Sequence, residues 1–134
     1  MIARVVSGLA FDPAGRVMMT LRKPDASRPN LWEYPGGKVE PGETDAGALQ
    51  REWREETGEE ATIVRRVAHT IFHLEVSFRI SLYWIRMRPG AEPKPLAAAD
   101  LQWFDPAHAV VRLPCVPSFY VFYPSVRATW RSPS

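Results

Sequence analysis

One cysteine in 134 residues excludes an internal disulfide and points to a reducing, cytoplasmic setting. Histidine is nearly as scarce, at three, which leaves little material for a nitrogen- and sulfur-rich metal centre. No apolar run approaches the ~20 residues a membrane span needs. The start, Met1-Ile2-Ala3-Arg4, lacks a charged-then-apolar secretory pattern, and no repeat or low-complexity run is present. A formal net charge of +2 is too small to mark a general nucleic-acid binder. These absences favour one globular domain over 1–134, with no membrane partner. The 46% hydrophobic and 24% charged content supports an ordinary core. Proline is abundant, and the patches Pro89 to Pro95 and Pro114 to Pro124 read as loop or turn.

What is present concentrates in one stretch. Gly36-Gly37-Lys38-Val39-Glu40-Pro41-Gly42-Glu43 precedes Arg51-Glu52-Trp53-Arg54-Glu55-Glu56-Thr57-Gly58. The second segment reads as a helix. Thr44 is a candidate N-cap, Asp45 suits the first turn, and Gly58 is a C-terminal stop. Ala46, Leu49 and Trp53 form an apolar stripe, with Glu52, Glu55 and Glu56 on the adjacent one. Gly47 weakens the interior by roughly 1 kcal/mol relative to alanine. Like charges at that spacing repel, and a divalent cation would neutralise them. Mg2+ takes oxygen ligands, often carboxylates together with substrate phosphates. In the loop, Gly36 and Gly37 offer unusual backbone freedom, and Pro41-Gly42 is a turn signal. Glu43 is left near free N–H groups of the helix start.

The spacing resembles the Nudix hydrolase signature, G-x5-E-x7-R-E-U-x-E-E-x-G-U with U apolar. Eight of nine constrained positions agree, and Glu59 departs where an apolar residue is expected. The resemblance implies an α/β fold, the Nudix α/β/α sandwich with a mixed sheet and a catalytic loop-helix. It also implies that the Gly36 carbonyl, Glu52, Glu55 and Glu56 bind Mg2+ or Mn2+. Arg51 would pair with Glu43 to brace the loop, and Glu52 would orient or deprotonate the attacking water. Glu59 in an apolar position predicts a looser, exposed helix end, at which Glu59→Leu is neutral or stabilising.

Element order is consistent with this. Strands are expected at Ile2 to Phe11, Val17 to Leu21, Leu31 to Tyr34, Ala61 to His69 and Gln102 to Phe104. Ile71 to Met87, alternating through Phe72, Leu74, Val76, Phe78 and Ile80, reads as a hairpin or one long strand. A second helix belongs at His108 to Arg112 or from Ser118 onward.

The run Leu31-Trp32-Glu33-Tyr34-Pro35 is similar to the MutT-like branch, which cleaves nucleoside triphosphates to monophosphate and pyrophosphate. By that likeness Arg22 and Lys38 serve the nucleotide and its phosphates, and Tyr34 lies beside the base. The side-chain amide that guanine-reading members carry after Leu113-Pro114-Cys115-Val116-Pro117 is missing. Asp100 stands where some members have a further glutamate, as a candidate ligand or a strand-edge turn residue. His69 and His73 are four apart but in strand-like sequence, where they do not converge. Cys115 reads as a structural thiol. The tail of Phe119, Tyr120, Val121, Phe122 and Tyr123 with Arg127, Trp130 and Arg131 covers the core, forms a dimer contact, or stacks single-stranded nucleic acid or bases. The expected partner is a small-molecule nucleotide, and the chain a monomer or homodimer. Rival readings are a dinucleoside polyphosphate or nucleoside diphosphate-derivative hydrolase, and a non-catalytic nucleotide-binding module.

Overall fold

The computed structural model describes residues 2–73 and 75–130. Leu74 of the alternating strand and Arg131 of the tail lie outside them. Seven strands and three helices follow in the order β1 (Ile2–Leu9), β2 (Val17–Leu21), β3 (Trp32–Glu33), β4 (Gly36–Lys38), α1 (Asp45–Thr57), β5 (Thr62–His73), β6 (Ser77–Arg86), β7 (Asp100–Phe104), α2 (Pro106–Arg112) and α3 (Pro117–Thr129) among the described residues. One sheet is mixed, in the order β4-β1-β6-β5, and the other runs β3-β2-β7. β1 and β6 are parallel, while β4 and β5 run antiparallel to their neighbours.

The mixed sheet is covered on both faces, as the sandwich requires. Val6, Ala10 and Ile85 pack with Ala48, Leu49 and Trp53 of α1. Leu9 and Leu82 pack with Phe119, Phe122 and Val126 of α3. β2 serves both cores, because alternate side chains face opposite ways: Met18 joins the α1 side, Val17 and Met19 the α3 side.

The α1 ends behave as the sequence implies. The Thr44 hydroxyl accepts from the Gly47 N–H at 3.1 Å, and Gly58 takes the left-handed conformation with φ +77°. The buried stripe differs. Ala48, and not Ala46, lies in the core with Leu49 and Trp53. The helix is pressed down on the side that also carries Glu52 and Glu56, which rotates position 46 outward. The proline patch at Pro114 to Pro124 is likewise mostly helix. Pro117 occupies the first turn of α3, where a missing N–H costs nothing, and Pro124 sits inside α3. Packing of Phe119, Phe122 and Val126 outweighs that break. The tail therefore covers the core.

Glu59 is not at a loose end. Its carboxylate accepts hydrogen bonds from Arg88 at 3.1 and 3.2 Å and from the Glu92 N–H at 3.2 Å. Its side chain is only 11% exposed. The Glu92 N–H, followed by Arg88, holds this carboxyl below its ordinary range. Glu59→Leu is therefore expected to lower the melting temperature, the reverse of the sequence expectation. Since the folded pKa is depressed, this stabilisation exists above the unfolded carboxylate pKa and is lost as pH falls through the folded one. Thermal melts of parent and variant should converge in acid; a variant melting at or above the parent at neutral pH would contradict it.

Candidate active site

Two glycines set the loop against the sheet and helix. β4 pairs with β1 through Val6↔Gly37 and Ser7↔Gly36, and the Gly8 N–H donates to the Pro35 carbonyl at 2.8 Å. A Cβ on Gly36 would drive into the Val6 carbonyl oxygen, and one on Gly37 would lie 2.5 Å from the Glu52 carboxyl carbon. Neither has a positive φ; Gly42 does, at +84°. Space, rather than backbone freedom, is what positions 36 and 37 demand. The turn forms where Pro41-Gly42 signals it, closed by the Glu43 N–H on the Glu40 carbonyl at 3.0 Å.

Glu43 does not meet the helix N–H groups. Its carboxylate accepts from the Glu40 N–H at 2.9 Å and from two nitrogens of Arg51 at 2.8 Å each. Those Arg51 bonds, then the backbone one, pull its pKa down to about 2. Arg51 also donates to the Lys38 carbonyl at 3.1 Å, to Glu52 at 2.9 Å and to Glu55 at 3.4 Å. One guanidinium thus joins loop, helix and two of the three acidic residues. Its hydrogen bonds, first to Glu43 and then to Glu52, raise its already high pKa further.

The three glutamates differ in environment. Glu55 is exposed. Glu52 is half-buried against Gly37, and burial raises its pKa while Arg51 opposes the rise. Glu56 is the most enclosed, and burial, then the charges of Glu52 and Glu33, push its pKa up to about 8. The Gly36 N–H, which hydrogen-bonds it, acts the other way. Its Oε2 is buried with no hydrogen-bond partner.

Those features fit a hard divalent cation: an orphaned carboxylate oxygen, a glycine cradle, and an all-oxygen donor set. Among the described residues no three acidic, histidine or cysteine side chains converge as a ready cage, and Arg51 hydrogen-bonds both Glu52 and Glu55. Magnesium bound by one or two carboxylates, with retained waters and substrate phosphates, needs no such cage. A cation held by Glu56 would have to displace its proton below about pH 8. Mn2+ or Mg2+ affinity should therefore rise up to about tenfold per pH unit up to that value, with proton release. The metal-free protein runs oppositely. With a folded pKa above the unfolded 4.5, this group's contribution falls as pH rises and levels off above about 8. Calorimetric titration in buffers of different ionisation heat tests the proton release; pH-independent affinity would contradict it.

The other sequence candidates are scattered. Arg22 is engaged with the Ser27 carbonyl at 2.6 Å, the Arg28 carbonyl at 3.1 Å and Glu33 at 3.2 Å. Tyr34 is buried against Phe119 with ring centroids 5.4 Å apart. It lines an apolar cavity of about 570 Å3 with Phe72, Phe78, Ile80 and Phe122. A smaller cavity of about 230 Å3 contains Gly36, Glu56, Arg22, Lys23 and Glu33. Lys38 is exposed and lines neither. Asp100 turns to the Leu101 N–H at 2.8 Å, as a strand-edge residue does. Ala97 and Ala98 face the polar cavity. His69 and His73 are exposed on β5, with His73 Nδ1 3.0 Å from the Ser77 hydroxyl. Cys115 is buried, and burial lifts its thiol to about 11, which makes it inert. Sequence reasoning missed Glu33 and Lys23; their only signal was adjacency to Arg22 and Tyr34.

The chain matches the NUDIX domain over residues 1–125. It belongs to the NUDIX family. Similar NUDIX relatives include a CTP pyrophosphohydrolase of Escherichia coli K12, 46% identical over 66 residues, which are 49% of this chain and 47% of that protein. An 8-oxo-dGTP diphosphatase of Proteus vulgaris is 33% identical over 85 residues, covering 60% of this chain and 76% of that protein. The solution structure of the E. coli ORF135 protein superimposes with a TM-score of 0.83 at 26% identity, covering 95% of this chain and 89% of that one. The MutT protein from Methanosarcina mazei Go1, at TM-score 0.84 and 18% identity over 95% and 94% of the two chains, shares the NUDIX fold. The aligned stretch of the E. coli CTP pyrophosphohydrolase spans about half of that enzyme. Among the described residues, no NUDIX helix is long and apolar enough to cross a membrane.

Proposed function

We propose that this NUDIX chain is a divalent-metal-dependent pyrophosphohydrolase that converts a nucleoside or deoxynucleoside triphosphate to monophosphate and pyrophosphate. The observation that carries it is the buried Glu56 Oε2, which has no hydrogen-bond partner, in a polar cavity with Gly36; that cavity shares Arg22 and Glu33 with an apolar one of about 570 Å3, large enough for a base and sugar. The names of the E. coli and P. vulgaris relatives, a CTP pyrophosphohydrolase and an 8-oxo-dGTP diphosphatase, support the triphosphate class.

Glu52, Glu55, Glu56 and the Gly36 carbonyl would hold Mg2+ or Mn2+. When bound, such an ion polarises phosphate oxygens and acidifies water. The chain's own residues do the rest. Glu52, packed on Gly37 and oriented by Arg51, accepts the proton of the attacking water. Arg22 and Arg28 line the apolar cavity and Lys23 the polar one, so cations flank the polyphosphate. Lys38, exposed at the end of β4 and outside both cavities, would serve the phosphates from the loop. Arg51 keeps the acidic residues and the loop in register, and Tyr34 walls the base cavity.

The test is a panel of ordinary and oxidised triphosphates, dinucleoside polyphosphates and ADP-ribose, with products resolved by chromatography and Glu55→Gln as control. Monophosphate plus pyrophosphate from a triphosphate, lost by orders of magnitude in the control, is expected. Turnover confined to dinucleotides, or none with binding retained, would replace this reading with a rival one.

A further inference from the structure

The segment from Arg88 to Ala99, between β6 and β7, has no helix or strand, yet it is tied to the end of α1. The Lys94 N–H donates to the Thr57 carbonyl and the Leu96 N–H to the Glu56 carbonyl, each at 3.0 Å. Carbonyls of a last turn have no partner inside their own helix. Pro93 and Pro95 carry no N–H, so the donors this stretch does have, at Lys94 and Leu96, both go to α1. A further tie is Glu59, which accepts from two nitrogens of Arg88 and from the Glu92 N–H. Past Leu96 the strap enters the polar cavity. Ala97 and Ala98 line it with Gly36 and Glu56, and the Ala99 N–H donates to the Leu21 carbonyl at 2.9 Å. One segment thus holds the backbone of Glu56 and walls the cavity that Glu56 lines.

We propose that Glu59 is a positioning residue for the metal centre: it latches the strap of residues 88–99, which sets the last turn of α1 and with it the Glu56 carboxylate. The inference rests on the metal-dependent reading above. Glu59 lines neither cavity and acts through the strap alone. Glu56 lies one residue from the end of α1, where a helix frays unless its carbonyls are held. With the latch released, the Lys94 and Leu96 N–H groups trade their α1 carbonyls for water. The last turn then gains conformers, and the wall at Ala97 and Ala98 retreats from the cavity. A cation would meet a carboxylate that must be ordered on binding, so its affinity falls.

The test reads amide hydrogen exchange at Lys94 and Leu96 in the metal-free protein, and the Mn2+ Kd from the paramagnetic resonance of the free ion. Glu59→Gln and Arg88→Gln should each speed exchange at both amides and weaken Mn2+ about tenfold, the lower end of what loss of an outer support costs. The double variant should bind no worse than the weaker single, because both changes open one latch. Asp12→Ala is the control for stability. It removes the hydrogen bonds of the turn between β1 and β2, outside both cavities, and should keep the parent's Kd. If Glu59→Gln does not fold, Arg88→Gln decides, since that side chain is 65% exposed. Unchanged exchange would overturn the latch. Faster exchange with the parent's Mn2+ Kd, or an equal loss of affinity in Asp12→Ala, would overturn the positioning role. A parent that bound no Mn2+ would remove the metal reading, and exchange at the two amides would still decide on the latch.

Discussion

Glu56→Gln lowers turnover by about a hundredfold or more, the upper end of what loss of a supporting metal-site group costs, without weakening the metal-free fold. The carboxylate is enclosed, accepts from the Gly36 N–H, and leaves Oε2 without a partner. A neutral amide keeps the Gly36 contact and removes the charge that a cation needs. Because the Glu56 pKa stands near 8, the metal-free parent is already neutral there at pH 7, and the two proteins should melt alike. At about pH 9 the parent carries a buried charge and the variant does not, so the variant becomes the more stable. Added Mn2+ should raise the parent's melting temperature and leave the variant's almost unmoved. Activity within a few fold of the parent, or a variant markedly less stable at pH 7, would remove Glu56 from the metal set.

Gly36→Ala destabilises by about 3 kcal/mol, the upper range for overpacking a filled site, and abolishes activity with it. The added methyl meets the Val6 carbonyl oxygen, which is backbone within the β1–β4 pairing and cannot rotate away. Separating the strands would also pull the Gly36 N–H from Glu56. Gly42→Ala is the control. Its methyl meets nothing within 4 Å, so only the positive φ of +84° penalises it, by about 1 kcal/mol. Urea denaturation of both variants measures the difference. A Gly36 variant no less stable than the Gly42 one would refute the steric account of the loop.

The loop-helix was legible because its constraints are local: a cap at Thr44, a stop at Gly58, and carboxylates three and four residues apart. Most strands were legible for the same reason, through alternation and the turn at Asp12 to Gly15. The sequence stretch from Ile71 to Met87 resolves into the end of β5 and all of β6. What stayed hidden depended on tertiary partners. The short strand β4 exists only because two glycines let it lie against β1. The stretch that forms α3 reads both as a proline-rich loop and as a helix from Ser118 onward; it starts at one proline and contains another, and burial of Phe119 and Phe122 in the core decides for the helix. Glu59 looked misplaced because its partners, Arg88 and Glu92, lie 29 and 33 residues away. Glu33 was passed over for a similar reason, since only the folded chain shows it facing both cavities.

Pyrophosphate release from a nucleoside triphosphate, followed after chelation and again after Mg2+ is restored, tests the central claim most directly. Parent activity should vanish with chelator and return with the metal, while Glu56→Gln stays near background throughout. Release that persists in chelator, or a Glu56→Gln protein that recovers fully with Mg2+, would contradict a metal centre built on this acidic face.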